Sequence, residues 1–147
     1  MRQLFGALVL AGCWTGAAVA PPPPSAPDEL PDPPAPFDGV AGRWEGIARQ
    51  HADELDWQVV VRLHARAAIG EPIGAIAYPS LGCSGLLIRT RERAGTYTVQ
   101  ERLLENPEDR CLDGGTIQFR RRTTTLDWRW FDADGNEAVA SVLTRAR

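Results

Sequence analysis

The chain has 147 residues, a formal net charge of −3 and 12 prolines, and all 16 of its basic residues are arginine. That length holds one small domain with flanking segments, not two domains. The mildly acidic balance, with acidic side chains interleaved among the arginines, counts against nucleic acid as a partner.

Met1-Arg2-Gln3 sets one positive charge ahead of the apolar run from Leu4 to Gly12. The run is too short to span a bilayer and has the form of an export signal. Leu10-Ala11-Gly12-Cys13 resembles the lipobox of bacterial lipoproteins, which implies that Cys13 carries a lipid and becomes the first mature residue. The competing reading is cleavage after Ala18-Val19-Ala20, a small-x-small pattern, although Pro21 directly follows that bond. Residues 1–20 are assigned to the export segment, with the lipobox ending at Cys13. The protein is therefore expected outside the cytoplasm, membrane-anchored through Cys13 or else secreted. Residues 21–38 carry most of the prolines and no apolar face. They are read as an extended tether that reaches roughly 50 Å at about 3.1 Å per residue.

Residues 39–147 form the globular part. Period-two alternation between turn residues predicts strands over 42–50, 57–67, 73–78, 86–93, 96–103, 116–122, 126–131 and 138–145. Ala94-Gly95 and Asp134-Gly135-Asn136 are hairpin signals, and Asn106-Pro107 opens a longer loop. Alanine and arginine content would also allow a helix over 57–68, but the run Val59-Val60-Val61 favours a strand. Eight short antiparallel strands in succession predict an all-β, up-and-down barrel, because closure removes exposed edges. Alternation turns Trp44, Trp57, Val59, Val61, Tyr97, Val99, Ile117, Phe119, Leu126, Trp128 and Trp130 inward. Glu101 shares the parity of Tyr97 and Val99, so it also points inward and needs a partner. Arg121, in phase with Ile117 and Phe119, is the candidate for that internal polar pair.

Once Cys13 is assigned to the anchor, Cys83 and Cys111 are the thiols left in an exported domain, where oxidation to a disulfide is expected. The bridge would close a loop of about 28 residues and contribute about 3–4 kcal/mol. Free buried cysteines are the bland alternative. Neither cysteine belongs to a Cys-x-x-Cys pair, as a zinc site would require. Nothing marks His51 or His64 as a base for a catalytic Cys83.

Two resemblances add to this. The segments Y-P-S-L-G-C-S-G (78–85), T-Y-T-V-Q-E-R-L (96–103), D-R-C-L-D-G-G-T-I (109–117) and L-D-W-R-W (126–130) are similar to a cassette of secreted bacterial proteins and lipoproteins, also found in extracellular parts of some actinobacterial serine/threonine kinases. The cassette implies an extracytoplasmic β domain with a Cys83–Cys111 bridge and brings no settled activity. Gly42-Arg43-Trp44 resembles the G-x-W of lipocalins and related calycin barrels. That likeness implies that an arginine of the last strand, Arg145 or as second choice Arg147, stacks on Trp44 and closes the barrel base.

Arg89, Arg91, Arg93, Arg102, Arg120, Arg122 and Arg129 are expected to point outward, as a solvated exterior or as a cationic face for anionic envelope polymers. Asp132-Ala133-Asp134-Gly135-Asn136 lacks the continuation of a calcium loop and is read as a hairpin turn. There is no P-loop, nucleophile elbow or paired-acid motif, and no cofactor is expected. The expected function is a non-catalytic envelope protein that binds or supports a partner there. The alternative is a secreted inhibitor of a peptidase or lysozyme.

Overall fold

A computed structural model describes Phe37, residues 39–93 and residues 95–147. The expected export segment, Cys13 and nearly all of the expected tether lie outside the described residues. Eight antiparallel strands follow one another around a closed barrel: β1 (Gly42–Gln50), β2 (Asp56–Leu63), β3 (Pro72–Tyr78), β4 (Cys83–Arg93), β5 (Thr96–Glu105), β6 (Thr116–Arg121), β7 (Thr125–Phe131) and β8 (Glu137–Arg145). β1 pairs with β8 through Trp44↔Arg145 and Glu45↔Thr144, so no sheet edge is left open. Among the described residues the helical structure is one 3-10 turn at Pro107–Asp109.

β2 settles the strand–helix ambiguity, since Val59, Val61 and Leu63 are buried at every second residue. It ends at Leu63, four residues before the expected Ala67. His64 N–H still reaches the Ile73 carbonyl (2.8 Å), but the next residue of β3 is Pro72, which has no N–H to return. β4 begins at Cys83, three residues earlier than the turn-rich sequence suggests. The turn is tight: Leu81 and Gly82 N–H both donate to the Tyr78 carbonyl, at 2.9 and 3.0 Å, and pairing starts at Tyr78↔Cys83.

The predicted interior positions form the core, together with Ile73, Ile76, Leu87, Val139 and Leu143. Trp57 and Tyr97 are partly buried, near opposite ends of the barrel. The core extends one step further toward the N-terminus than expected. Phe37, assigned above to the tether, is fully buried and its ring lies 4.8 Å from that of Tyr97. The chain thus enters the barrel through a plugged base.

The alternation of strands defines two ends. The base holds the start of β1, the end of β8 and the β2–β3, β4–β5 and β6–β7 connections. The mouth holds the β1–β2, β3–β4, β5–β6 and β7–β8 connections.

Candidate functional site

At the base, the Arg145 guanidinium lies 4.8 Å from the Trp44 ring centre, and its Nη2 donates to the Ala41 carbonyl (2.9 Å). The Trp44 indole N–H donates to the Val40 carbonyl (2.7 Å). Gly42 has φ +126°, and a Cβ there would come within 2.8 Å of Arg145 Nη1. Gly42, Trp44 and Arg145 therefore meet as the calycin likeness implies, and the glycine is needed for both backbone and space. This contact closes the barrel and leaves no room for a ligand.

The mouth is different. Trp57 on β2, Tyr78 at the end of β3, Glu101 on β5, and Trp128 and Trp130 on β7 surround a cavity of about 180 Å³. That is comparable to an apolar cavity known to hold a benzene ring, and smaller than the usual site for a drug-sized ligand. Glu101 is 1% exposed. Its Oε1 accepts the Tyr78 hydroxyl (2.6 Å) and its Oε2 accepts the Trp130 indole N–H (2.8 Å). Burial pushes the Glu101 carboxyl above the ordinary carboxylate range, against the pull of those two donors, and the nearby Asp113 charge adds to the rise. Burial and the neighbouring Glu101 charge hold the Tyr78 hydroxyl well above its ordinary range, so it serves as a donor.

This corrects the expected internal pair. Glu101 points inward as predicted, but its partners are Tyr78 and Trp130. Arg121 is exposed and donates instead to the Gly39 carbonyl at the base. Residue 115 makes room for the network: a Cβ on Gly115 would run into the Trp130 indole. The doubled glycine at 114–115 was the sequence signal for this, though it named no partner.

Two further donors face no protein acceptor. The indole nitrogens of Trp57 and Trp128 are buried and make no hydrogen bond with a described residue, and both residues line the cavity. A buried donor left unpaired costs about 1–3 kcal/mol, which sets these two indoles apart from the bonded one of Trp130. At the lip, Leu55 (57% exposed) and Leu112 (72% exposed) present apolar surface on opposite loops.

The lip is stapled. The Cys83–Cys111 disulfide is present, with S–S 2.06 Å, and ties the β5–β6 loop to the start of β4. Asn106 reinforces it: its amide donates to the Cys111 carbonyl (2.9 Å) and its carbonyl oxygen accepts Cys111 N–H (3.0 Å). Asp113 Oδ1 accepts Leu103 N–H (2.7 Å) and Gly114 N–H (2.8 Å). On the β7–β8 turn, Asp132 Oδ1 accepts the N–H groups of Asp134 (3.0 Å) and Asn136 (2.8 Å). The hairpin reading of that segment holds, and those bonds hold the Asp132 carboxyl below its ordinary range. No cluster of three metal-ligating side chains occurs among the described residues.

His51 contacts Glu137 Oε1 (3.2 Å) at the mouth, whereas His64 follows β2 at the base, so the two histidines share no site. Of the arginines expected outside, Arg89 turns inward: it is partly buried, donates to the Ala67 carbonyl and lies 5.7 Å from the Phe37 ring centre. Its inward turn continues the alternation of Cys83, Gly85 and Leu87, and a register shift between Arg89 and Arg91 then resets that alternation and returns Arg91 to the exterior. Compared with known protein families, curated proteins and solved structures, the chain matches none.

Proposed function

We propose that this protein is a non-catalytic binding module of the bacterial envelope, anchored through Cys13, whose barrel mouth takes one small neutral ring bearing hydrogen-bond acceptors. The ring is either a free molecule or the terminal unit of a longer one. The observation that carries this reading is that Trp57 and Trp128, two residues lining one 180 Å³ cavity, both hold a buried indole N–H with no acceptor. Aromatic walls supply flat apolar contact, and the two indoles supply directed donors. Glu101 in the wall and Asp53, Glu54, Asp132 and Asp134 on the mouth loops disfavour an anion. A non-catalytic role fits the chemistry at hand, because both cysteines of the barrel are bonded to each other and the histidines are apart.

Saturation-transfer NMR with neutral sugars and small aromatic amides, and with their carboxylate analogues, tests this. Neutral ligands should bind and the carboxylates should not. Trp57→Phe and Trp128→Phe should each weaken binding by about fivefold to tenfold, the loss of one hydrogen bond. Binding unchanged in both variants refutes the assignment.

The exposed Leu112, held beside the bridged Cys111, favours a second reading as an enzyme inhibitor, in which the strapped β5–β6 loop is the inhibitory element. Leu112→Asp should then abolish inhibition of a target peptidase or lysozyme, whereas Trp57→Phe and Trp128→Phe should leave that inhibition in place.

A further inference from the structure

The net charge of −3 hides a strong polarity along the barrel axis. Arg62, Arg66, Arg91, Arg93, Arg120 and Arg147 are all exposed, lie on strand ends or connections at the base, and make no ion pair among the described residues. Toward the mouth Arg102 is exposed, and the other three arginines are neutralised, as Arg49 pairs with Asp56, Arg110 with Glu108 and Arg129 with Glu137. The mouth loops add Asp53, Glu54, Asp109, Asp132 and Asp134.

Register shows that the basic end is organised as a ring. Arg93 and Arg120 flank Thr96 in one cross-strand row of β4, β5 and β6. Around the barrel, Arg43 of β1 stands directly opposite Arg62 of β2. Like charges in that position are destabilising, and Arg43 has only a single long contact, 3.6 Å to Glu45, to offset it. An anion-bearing surface against the base removes that repulsion.

We infer that the base of the barrel is an electrostatic docking face for an anionic phospholipid surface. A ring of arginines around the end of a cylinder matches a plane of phosphates, each of which a guanidinium can bind bidentately. Duplex nucleic acid, by contrast, would meet a groove or a stripe. The chain also enters at this end, since Phe37 is buried in the base and residues 1–36 precede it. A lipid on Cys13 would therefore tether the barrel from its basic end. The orientation rests on the lipid-anchor reading, whereas the lipid affinity does not depend on it.

The test uses the full chain carrying Cys13→Ser, so that no acyl group is added. It is mixed with vesicles of phosphatidylglycerol and phosphatidylcholine, and with vesicles of phosphatidylcholine alone. All variants keep the same residues 1–36, so differences among them belong to the barrel. The chain should favour the anionic vesicles, and the preference should fade at high salt. The triple variant Arg91→Gln, Arg93→Gln, Arg120→Gln should lose about fivefold in partitioning per arginine. The triple variant Arg49→Gln, Arg102→Gln, Arg129→Gln, with the same charge change toward the mouth, should lose far less. Unchanged near-ultraviolet circular dichroism certifies the fold of each. Equal losses in the two triples, no preference for the anionic vesicles, or tighter binding to duplex DNA than to those vesicles would each overturn the inference.

Discussion

Replacing Glu101 separates the two things it does: it satisfies two buried donors, and it buries a charge. Glu101→Leu removes the acceptor of both the Tyr78 hydroxyl and the Trp130 indole. Each orphaned donor costs about 1–3 kcal/mol, so the loss is about 2–6 kcal/mol, less whatever is recovered by no longer burying a carboxylate. Glu101→Gln keeps one acceptor oxygen and removes the charge, so its loss is smaller. The two replacements also differ from wild type in pH dependence. Burial raises the folded-state pKa of Glu101, so the folded protein holds this proton more tightly than the unfolded chain. Its contribution is fully present below the ordinary glutamate pKa and is lost as pH rises through the raised folded value. Within that window wild-type stability falls by up to about 1.4 kcal/mol per pH unit from this group. Asp56 and Asp132 work in the opposite direction, since their lowered values give stability that is lost as pH falls. Asp56 is exposed and Asp132 partly so, and both act below the Glu101 window. Urea melts of wild type, Glu101→Gln and Glu101→Leu from weakly acidic to neutral pH make the comparison. The Gln variant should lack the wild-type fall, so the gap between them narrows as pH rises. A Gln profile parallel to wild type would show that Glu101 does not titrate there. A Leu variant as stable as the Gln variant would show that the donors are not held by this carboxylate.

At the base, Arg145→Ala and Trp44→Ala should each destabilise by about 1–3 kcal/mol. Their double mutant should fall short of additivity by at least about 0.5 kcal/mol, as thermal melts would show, whereas strict additivity would mean the stacked pair carries no energy. Arg145→Lys should recover only part of the loss, because an ammonium cannot stack as a planar guanidinium does. Cys83→Ala/Cys111→Ala should cost about 3–4 kcal/mol in urea melts. It should also raise amide exchange across residues 106–115, and unchanged exchange there would show that the Asn106 and Asp113 bonds hold the loop unaided. Cys13→Ala should abolish fatty-acid labelling and release the chain from the membrane fraction. Continued retention with an N-terminus at Pro21 would sink the lipid-anchor reading.

Alternation and turn residues carried most of the fold. A closed barrel has one inside, so every strand repeats the same two-residue code, and a face assigned on one strand constrains its neighbours. The code fails where it is interrupted. The shift between Arg89 and Arg91 is invisible in the sequence R-T-R, yet it returns Arg91 to the exterior just after Arg89 has reached Phe37. The base closure was legible because Gly42, Trp44 and Arg145 lie at the two ends of the chain's strand order, and in a meander those ends must meet.

The mouth was only half legible, and Glu101 shows why. Parity says which face a side chain takes, but not how far along the barrel it sits. Glu101 N–H donates to the Gly115 carbonyl, so on β6 the carboxylate lies level with residue 115. Arg121 is six residues further along that strand, about 20 Å toward the base at about 3.3 Å per residue. Two inward positions in phase on adjacent strands can therefore be beyond reach of each other. The height is set by register, and register is set by turns such as Tyr78–Cys83 and by the tilt needed for closure. Trp130 reaches Glu101 from β7 across β6 because Gly115 has no side chain to stop it. Donor chemistry was equally hidden. Five tryptophans in the sequence suggest only a large core, and three of the four described ones line the cavity. Trp44 and Trp130 spend their N–H groups on Val40 and Glu101, whereas those of Trp57 and Trp128 are buried without an acceptor. That division of four indoles into two bonded donors and two unbonded ones is what makes the mouth a place to look for a ligand.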